Sequence, residues 1–86
     1  MAIEQGLALY HYVGCGFCAY VQSAARGLGV ELELLDIHAD PQHAADLQAA
    51  TGRTTGPVLR ITEPGGDARF LPESADIVAY LEQIVG

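Results

Sequence analysis

Half of this 86-residue chain is apolar and 17% is charged, so it is expected to fold as one globular domain, residues 1–86, with a modest core. The formal charge is −7, from eleven acidic residues against four arginines and no lysine, which excludes an ordinary basic nucleic-acid-binding surface. There is no basic-plus-apolar leader and no apolar run of the ~20 residues that cross a bilayer, so a cytoplasmic monomer with no membrane partner is expected.

LALYHY, Leu7 to Tyr12, reads as the first strand. It is apolar at both odd and even positions, as a strand covered on both faces requires. Val13-Gly14 breaks it. A helix then runs from near Cys15 to Arg26, where Cys18, Val21, Ala25 and Leu28 form one apolar stripe and Gly27 and Gly29 end it. VELELLDI, Val30 to Ile37, is a second strand. Asp40 is placed to N-cap a second helix, with Pro41 at its first position and Gly52 at its end. GPVLRIT, from Gly56, is a third strand. Pro64-Gly65-Gly66 is a turn, and ARFL, from Ala68, returns as the fourth strand of a hairpin. Ser74 caps a last helix whose buried stripe is Ile77, Val78, Leu81, Ile84 and Val85. The order β-α-β-α-β-β-α contains one right-handed βαβ unit followed by an antiparallel hairpin. The expected fold class is therefore α/β, a four-stranded mixed sheet flanked by three helices.

The two cysteines of the chain, Cys15 and Cys18, both lie in VGCGFCAY, at the junction of strand and helix. Such a pair suits a redox couple, half of a metal site, or neither; in a reducing compartment it is more often catalytic or metal-binding than a structural staple. At the helix start, free N–H groups and the helix dipole favour the Cys15 thiolate, and thiols in such settings titrate below their free value of ~8.5. Cys18 falls one turn back, on the apolar stripe. The expectation is an exposed nucleophile, Cys15, and a buried resolving thiol, Cys18. A metal site needs two further ligands. His38 and His43 have a zinc-like gap between them, but His38 ends a strand and His43 begins a helix, so no metal site is assigned. His11, at the end of the first strand, aims at the same loop and has a weaker claim to a role.

CGFC after LALYHY resembles the glutaredoxin active site, a Cys-x-x-Cys following the first strand of a thioredoxin fold. TGRTTGPVLRI, Thr51 to Ile61, is similar to that family's Thr-Val-Pro segment, whose proline is cis and faces the cysteines. LPESADIVAYL, Leu71 to Leu81, resembles the Glu-Ser motif of the glutathione S-transferase N-terminal domain, which is also a thioredoxin fold. The resemblance extends over residues 7–85. It implies a thioredoxin-like (glutaredoxin) fold without a transferase's helical second domain. It also implies a glutathione-dependent thiol–disulfide oxidoreductase, whose partners are glutathione and disulfide or glutathionylated substrates.

On that resemblance, Cys15 forms the mixed disulfide. Gly56, before Pro57, offers its N–H and C=O to the cysteinyl part of glutathione. Ser74 and the N–H groups of its helix hold the γ-glutamyl carboxylate, and Glu73 or Asp76 pairs with the γ-glutamyl amino group. Arg53, or Arg60, faces the glycyl carboxylate, and Phe17 completes the binding set. Three departures stand out. Gly56 replaces a bulkier residue, which suggests a looser loop. Ala8 stands where many members carry a lysine, which suggests weak glutathione affinity. Gly16 replaces the commoner proline, as in members that bind clusters. The alternatives are a [2Fe–2S] cluster held between two chains by Cys15 and two glutathione thiols, and a thioredoxin-like reductant that does not use glutathione.

Overall fold

The computed structural model describes residues 6–63 and 65–85. The elements are β1 (Gly6–His11), α1 (Gly16–Leu28), β2 (Glu33–Asp36), α2 (Pro41–Thr51), β3 (Val58–Thr62), β4 (Ala68–Leu71) and α3 (Ser74–Val85). The strands lie in the order β2-β1-β3-β4. β1 runs parallel to β2 and antiparallel to β3, and β3 is antiparallel to β4. This is the mixed sheet that the sequence order implies.

The period of two along β1 decides how the sheet is covered. Leu7 and Leu9 join Leu59 and Ile61 of β3 in a core closed by Val21 and Ala25 of α1 and Ile77, Val78 and Leu81 of α3. Ala8 and Tyr10 face the other way, into a second core with Leu35, Ile37, Val58 and Leu47. Leu47 is the buried residue of α2. Two helices therefore cover one face and one helix covers the other. Among the described residues, no helix is long and apolar enough to cross a membrane.

Several boundaries differ from the sequence reading, each for a local reason. Gly27 lies inside α1 on its exposed side, and only Gly29, at φ 75°, ends the helix. The N–H of Val30 donates to the Ala25 carbonyl (2.9 Å) in that helix end, so Val30 is not available to start β2. β3 begins at Val58 rather than Gly56, because Pro57 has no N–H for a ladder. Pro64 of the expected turn lies outside the described residues. Beside it, Gly66 donates to the Glu63 carbonyl (2.8 Å) and Glu63 donates to that of Asp67 (2.7 Å). On α3, Ile84 packs against the core, but Val85 is 44% exposed and leaves the expected stripe.

Asp36 ends β2 and accepts N–H groups from His38 (2.8 Å) and Ala39 (3.0 Å). The His38 bond first, and then the Ala39 bond, holds its carboxyl below the ordinary carboxylate range. The folded-state value thus lies below the unfolded one. Its stabilisation is complete above about pH 4 and fades as the pH falls through the lower, folded-state value. Asp36→Asn should flatten the acid limb of the stability curve, read as the urea midpoint at about pH 5 and about pH 3. An unchanged limb would show that this turn does not couple to folding.

Candidate functional site

The loop after β1 turns at Gly14, whose φ of 93° suits glycine, and delivers Cys15 to the head of α1. The Cys15 N–H donates to the Tyr12 carbonyl (3.2 Å), and its own carbonyl accepts from Ala19 (3.0 Å). Its backbone is extended, so it is the N-cap, and its sulfur accepts the Cys18 N–H at 3.1 Å. That donor and the dipole of α1 favour negative charge on this sulfur once the pair is reduced. Cys15 and Cys18 are joined as a disulfide, with Cα atoms 5.2 Å apart. Cys15 is 8% exposed and Cys18 1%. The order agrees with the sequence reading, but Cys15 is far less open than an exposed nucleophile. Its side chain turns back over the first turn to meet the Cys18 N–H.

The Gly56–Pro57 bond is cis, as the resemblance implied, and Pro57 is buried. Gly56 lies hard against the cysteine pair. A Cβ there would be 2.6 Å from the Tyr10 carbonyl oxygen, 3.0 Å from the Cys18 sulfur and 3.3 Å from the His11 Cα. The expectation of a looser loop is therefore corrected. The glycine is what lets the loop close onto β1 and the sulfur, and no side chain fits between them.

Phe17, Arg53, Gly56, Pro57, Glu73 and Ser74 line one cleft of about 160 Å³, together with Pro72, which sequence reasoning passed over although it precedes the Glu-Ser pair. Asp76, the seventh expected binding residue, is not among the cleft residues. It lines a separate groove with Arg69, Leu71 and Tyr80. Ser74 is the first residue of α3 rather than its N-cap, since the Ile77 N–H donates to the Glu73 carbonyl (2.9 Å). The earlier N–H groups of that turn have no partner within the helix. Across the cleft end, Arg53 Nη2 lies 3.5 Å from Glu73 Oε2. A second, mainly apolar hollow of about 470 Å³ adjoins the cleft and is lined by Gly16, Phe17, Tyr20 and Ser74. Phe17, 68% exposed, borders both.

Other expected contributors lie elsewhere. Arg60 sits on the α2 side of the sheet, where Nη1 donates to the Tyr10 hydroxyl at 3.3 Å and the guanidinium lies over the Tyr10 ring. It does not line the cleft. Ala8 is buried in the middle of β1 on that same face. A lysine there would not reach the cleft, so its absence says nothing about ligand affinity. His38 stacks on Tyr12, with ring centroids 4.6 Å apart, and His43 lies 3.6 Å from Asp40. Neither approaches the cysteines as a ligand set: among the described residues, no group of three or more His, Cys, Asp or Glu side chains could hold a metal.

The family pattern described as the N-terminal domain of glutathione S-transferases matches residues 9–86. The chain belongs to this glutathione S-transferase N-terminal domain family. Its fold is thioredoxin-like, and solved structures of similar shape share it. A maleylacetoacetate isomerase from Anaeromyxobacter dehalogenans, with glutathione bound in its active site, is 28% identical with a TM-score of 0.68. The match covers 93% of this transferase-type domain and 38% of the isomerase. A trimeric glutathione transferase from Leishmania is 28% identical with a TM-score of 0.75, over 92% of this chain and 18% of that one. A glutaredoxin from Brucella melitensis shares the fold at 23% identity and a TM-score of 0.60, over 92% of this chain and 79% of its own. The domain thus spans well under half of the isomerase and the transferase that it resembles. Comparison with curated protein sequences gave no match.

Proposed function

We propose that this transferase-type domain is a glutathione-dependent thiol–disulfide oxidoreductase of the reducing cytoplasm, acting on glutathionylated or disulfide substrates. The observation that carries the reading is the Cys15–Cys18 pair, closed as a disulfide at the head of α1 with the Cys18 sulfur against Gly56. A conjugating transferase needs one group to activate glutathione, whereas a second sulfur within bonding reach is what a two-electron couple needs. The Cys15 thiolate attacks the glutathionyl sulfur of a mixed disulfide. The old S–S bond breaks, the substrate leaves as a thiolate and takes a proton from water, and Cys15 carries glutathione. A second glutathione thiolate attacks that adduct, forming glutathione disulfide and restoring the Cys15 thiolate. With a protein disulfide, Cys18 resolves the adduct instead. Two electrons pass to the substrate in either case.

In this reading the ligand's cysteinyl part lies along Gly56, its γ-glutamyl end meets Glu73 and the start of α3, and Phe17 walls the cleft. A second reading is favoured by the apolar hollow between Phe17, Tyr20 and Ser74, which would take the electrophile of a conjugation. The cluster alternative asks of each chain only the Cys15 sulfur, so the burial of Cys18 beneath the Gly56 loop does not bear on it. One experiment separates the readings. Reduction of a glutathionylated substrate, with oxidised glutathione as product, should outpace glutathione addition to an apolar electrophile, and aerobic and anaerobic preparations should be equally active. Addition without disulfide reduction would make the chain a conjugating transferase.

Ser74 gives a narrower check. Ser74→Ala should change stability by less than about 0.5 kcal/mol, because the hydroxyl is not the helix cap. It should raise KM for glutathione by up to about tenfold, the value of one charge-assisted hydrogen bond. A loss of stability with unchanged KM would make the residue structural.

A further inference from the structure

The charges around the cleft are unevenly placed. Arg53 and Glu73 stand 3.5 Å apart at the end where α3 begins, with side chains 43% and 65% exposed. An exposed pair of this kind is weak in itself, so a ligand can enter it at little cost. The α-amino acid head of a γ-glutamyl group carries an ammonium and a carboxylate on one carbon. Those two charges match the pair: the ammonium meets Glu73, while the carboxylate meets Arg53 and the free N–H groups of the first turn of α3. Arg53 then belongs to the γ-glutamyl end, not to the glycyl end where the resemblance put it.

The other arginines do not line the cleft. Arg60 is bound to Tyr10 on the far face, and Arg69 bonds Glu63 at 2.7 Å and lies over Tyr80. Arg26 is in the last turn of α1, about 15 Å along the helix from Gly16. There is no lysine. None of the three histidines lines the cleft, and His43 lies 3.6 Å from Asp40. A glycyl carboxylate entering a protein of charge −7 therefore finds no arginine besides Arg53 lining the cleft.

We propose that this site selects the γ-glutamyl zwitterion of its thiol and does not read the glycyl carboxylate, so that γ-glutamylcysteine serves it as well as glutathione. The inference rests on the oxidoreductase reading above. The step is unchanged: the γ-glutamylcysteine thiolate attacks the Cys15 adduct, the S–S bond to Cys15 breaks, and a soluble disulfide leaves with the restored thiolate.

The test is turnover of one mixed disulfide with glutathione, γ-glutamylcysteine and glutaryl-cysteinylglycine, which lacks the ammonium. The assay is run at one fixed pH for all three thiols. γ-Glutamylcysteine should come within tenfold of glutathione in kcat/KM, while the glutaryl analogue should lose about tenfold or more, the worth of a charge-assisted contact. Arg53→Gln should lower kcat/KM for glutathione and γ-glutamylcysteine by the same factor, and Arg53→Lys should restore part of it for both. A tenfold or greater preference for glutathione, full activity of the glutaryl analogue, or an Arg53→Gln defect confined to glutathione overturns the inference while leaving the oxidoreductase reading intact. Turnover with dithiothreitol but with neither γ-glutamyl thiol overturns both.

Discussion

Cys15→Ser should abolish reduction of glutathionylated substrates, lowering kcat/KM on the order of 10³-fold or more, because a hydroxyl cannot replace a thiolate as attacking and leaving group. Cys18→Ser should keep that activity and lose the reduction of protein disulfides that depends on the second thiol. The asymmetry follows from position. Cys15 caps α1 and accepts the Cys18 N–H, whereas Cys18 is sealed beneath the Gly56 loop. In the reduced protein, an alkylating reagent at neutral pH should modify Cys15 first. Mass spectrometry of the singly labelled species checks this, and a label on Cys18 would reverse the roles. Equal activity of the two serine variants on a glutathionylated substrate would remove Cys15 from the nucleophile's position.

Gly56→Ala should cost about 1–3 kcal/mol, the usual penalty for forcing an added carbon into a packed site. The added Cβ meets the Tyr10 carbonyl at 2.6 Å, and that oxygen belongs to a central strand paired on both sides. Neither neighbour is the flexible tip of a long side chain, so the loop itself must move. For a domain of this size each kcal/mol lowers Tm by about 4–8 °C. The same movement draws the Gly56 polar groups away from the sulfurs, so disulfide reduction should fall as well. Thermal unfolding with a turnover assay at matched folded fraction measures both. An unchanged Tm would mean that the loop gives way freely, as the sequence alone suggested.

The sequence by itself determined the order of elements, because that order is written in short-range patterns. Apolar residues at both odd and even positions of LALYHY marked β1 as covered on both faces, Asp40-Pro41 and Gly52 bounded α2, and the Cys15–Cys18 spacing on one helical turn set the sulfurs within bonding reach. These depend on neighbours a few residues apart. The motifs CGFC, TGRTTGPVLRI and LPESADIVAYL likewise named seven binding residues, six of which line one cleft. Only the tertiary structure decided what depends on residues far apart in the chain. Gly56 looks like a loosening substitution until Tyr10, 46 positions away, is seen to leave no room for a side chain. Arg53 and Glu73, 20 residues apart, become partners only when the end of α2 is brought beside the start of α3. Arg60 and Ala8 were read as cleft positions, but strand register turned them to the α2 face. Asp76, two residues past Ser74, was carried round α3 into a different groove. A side chain's type and spacing are local properties. Which face it lands on, and which charge it meets there, are settled by the packing of the sheet and its helices.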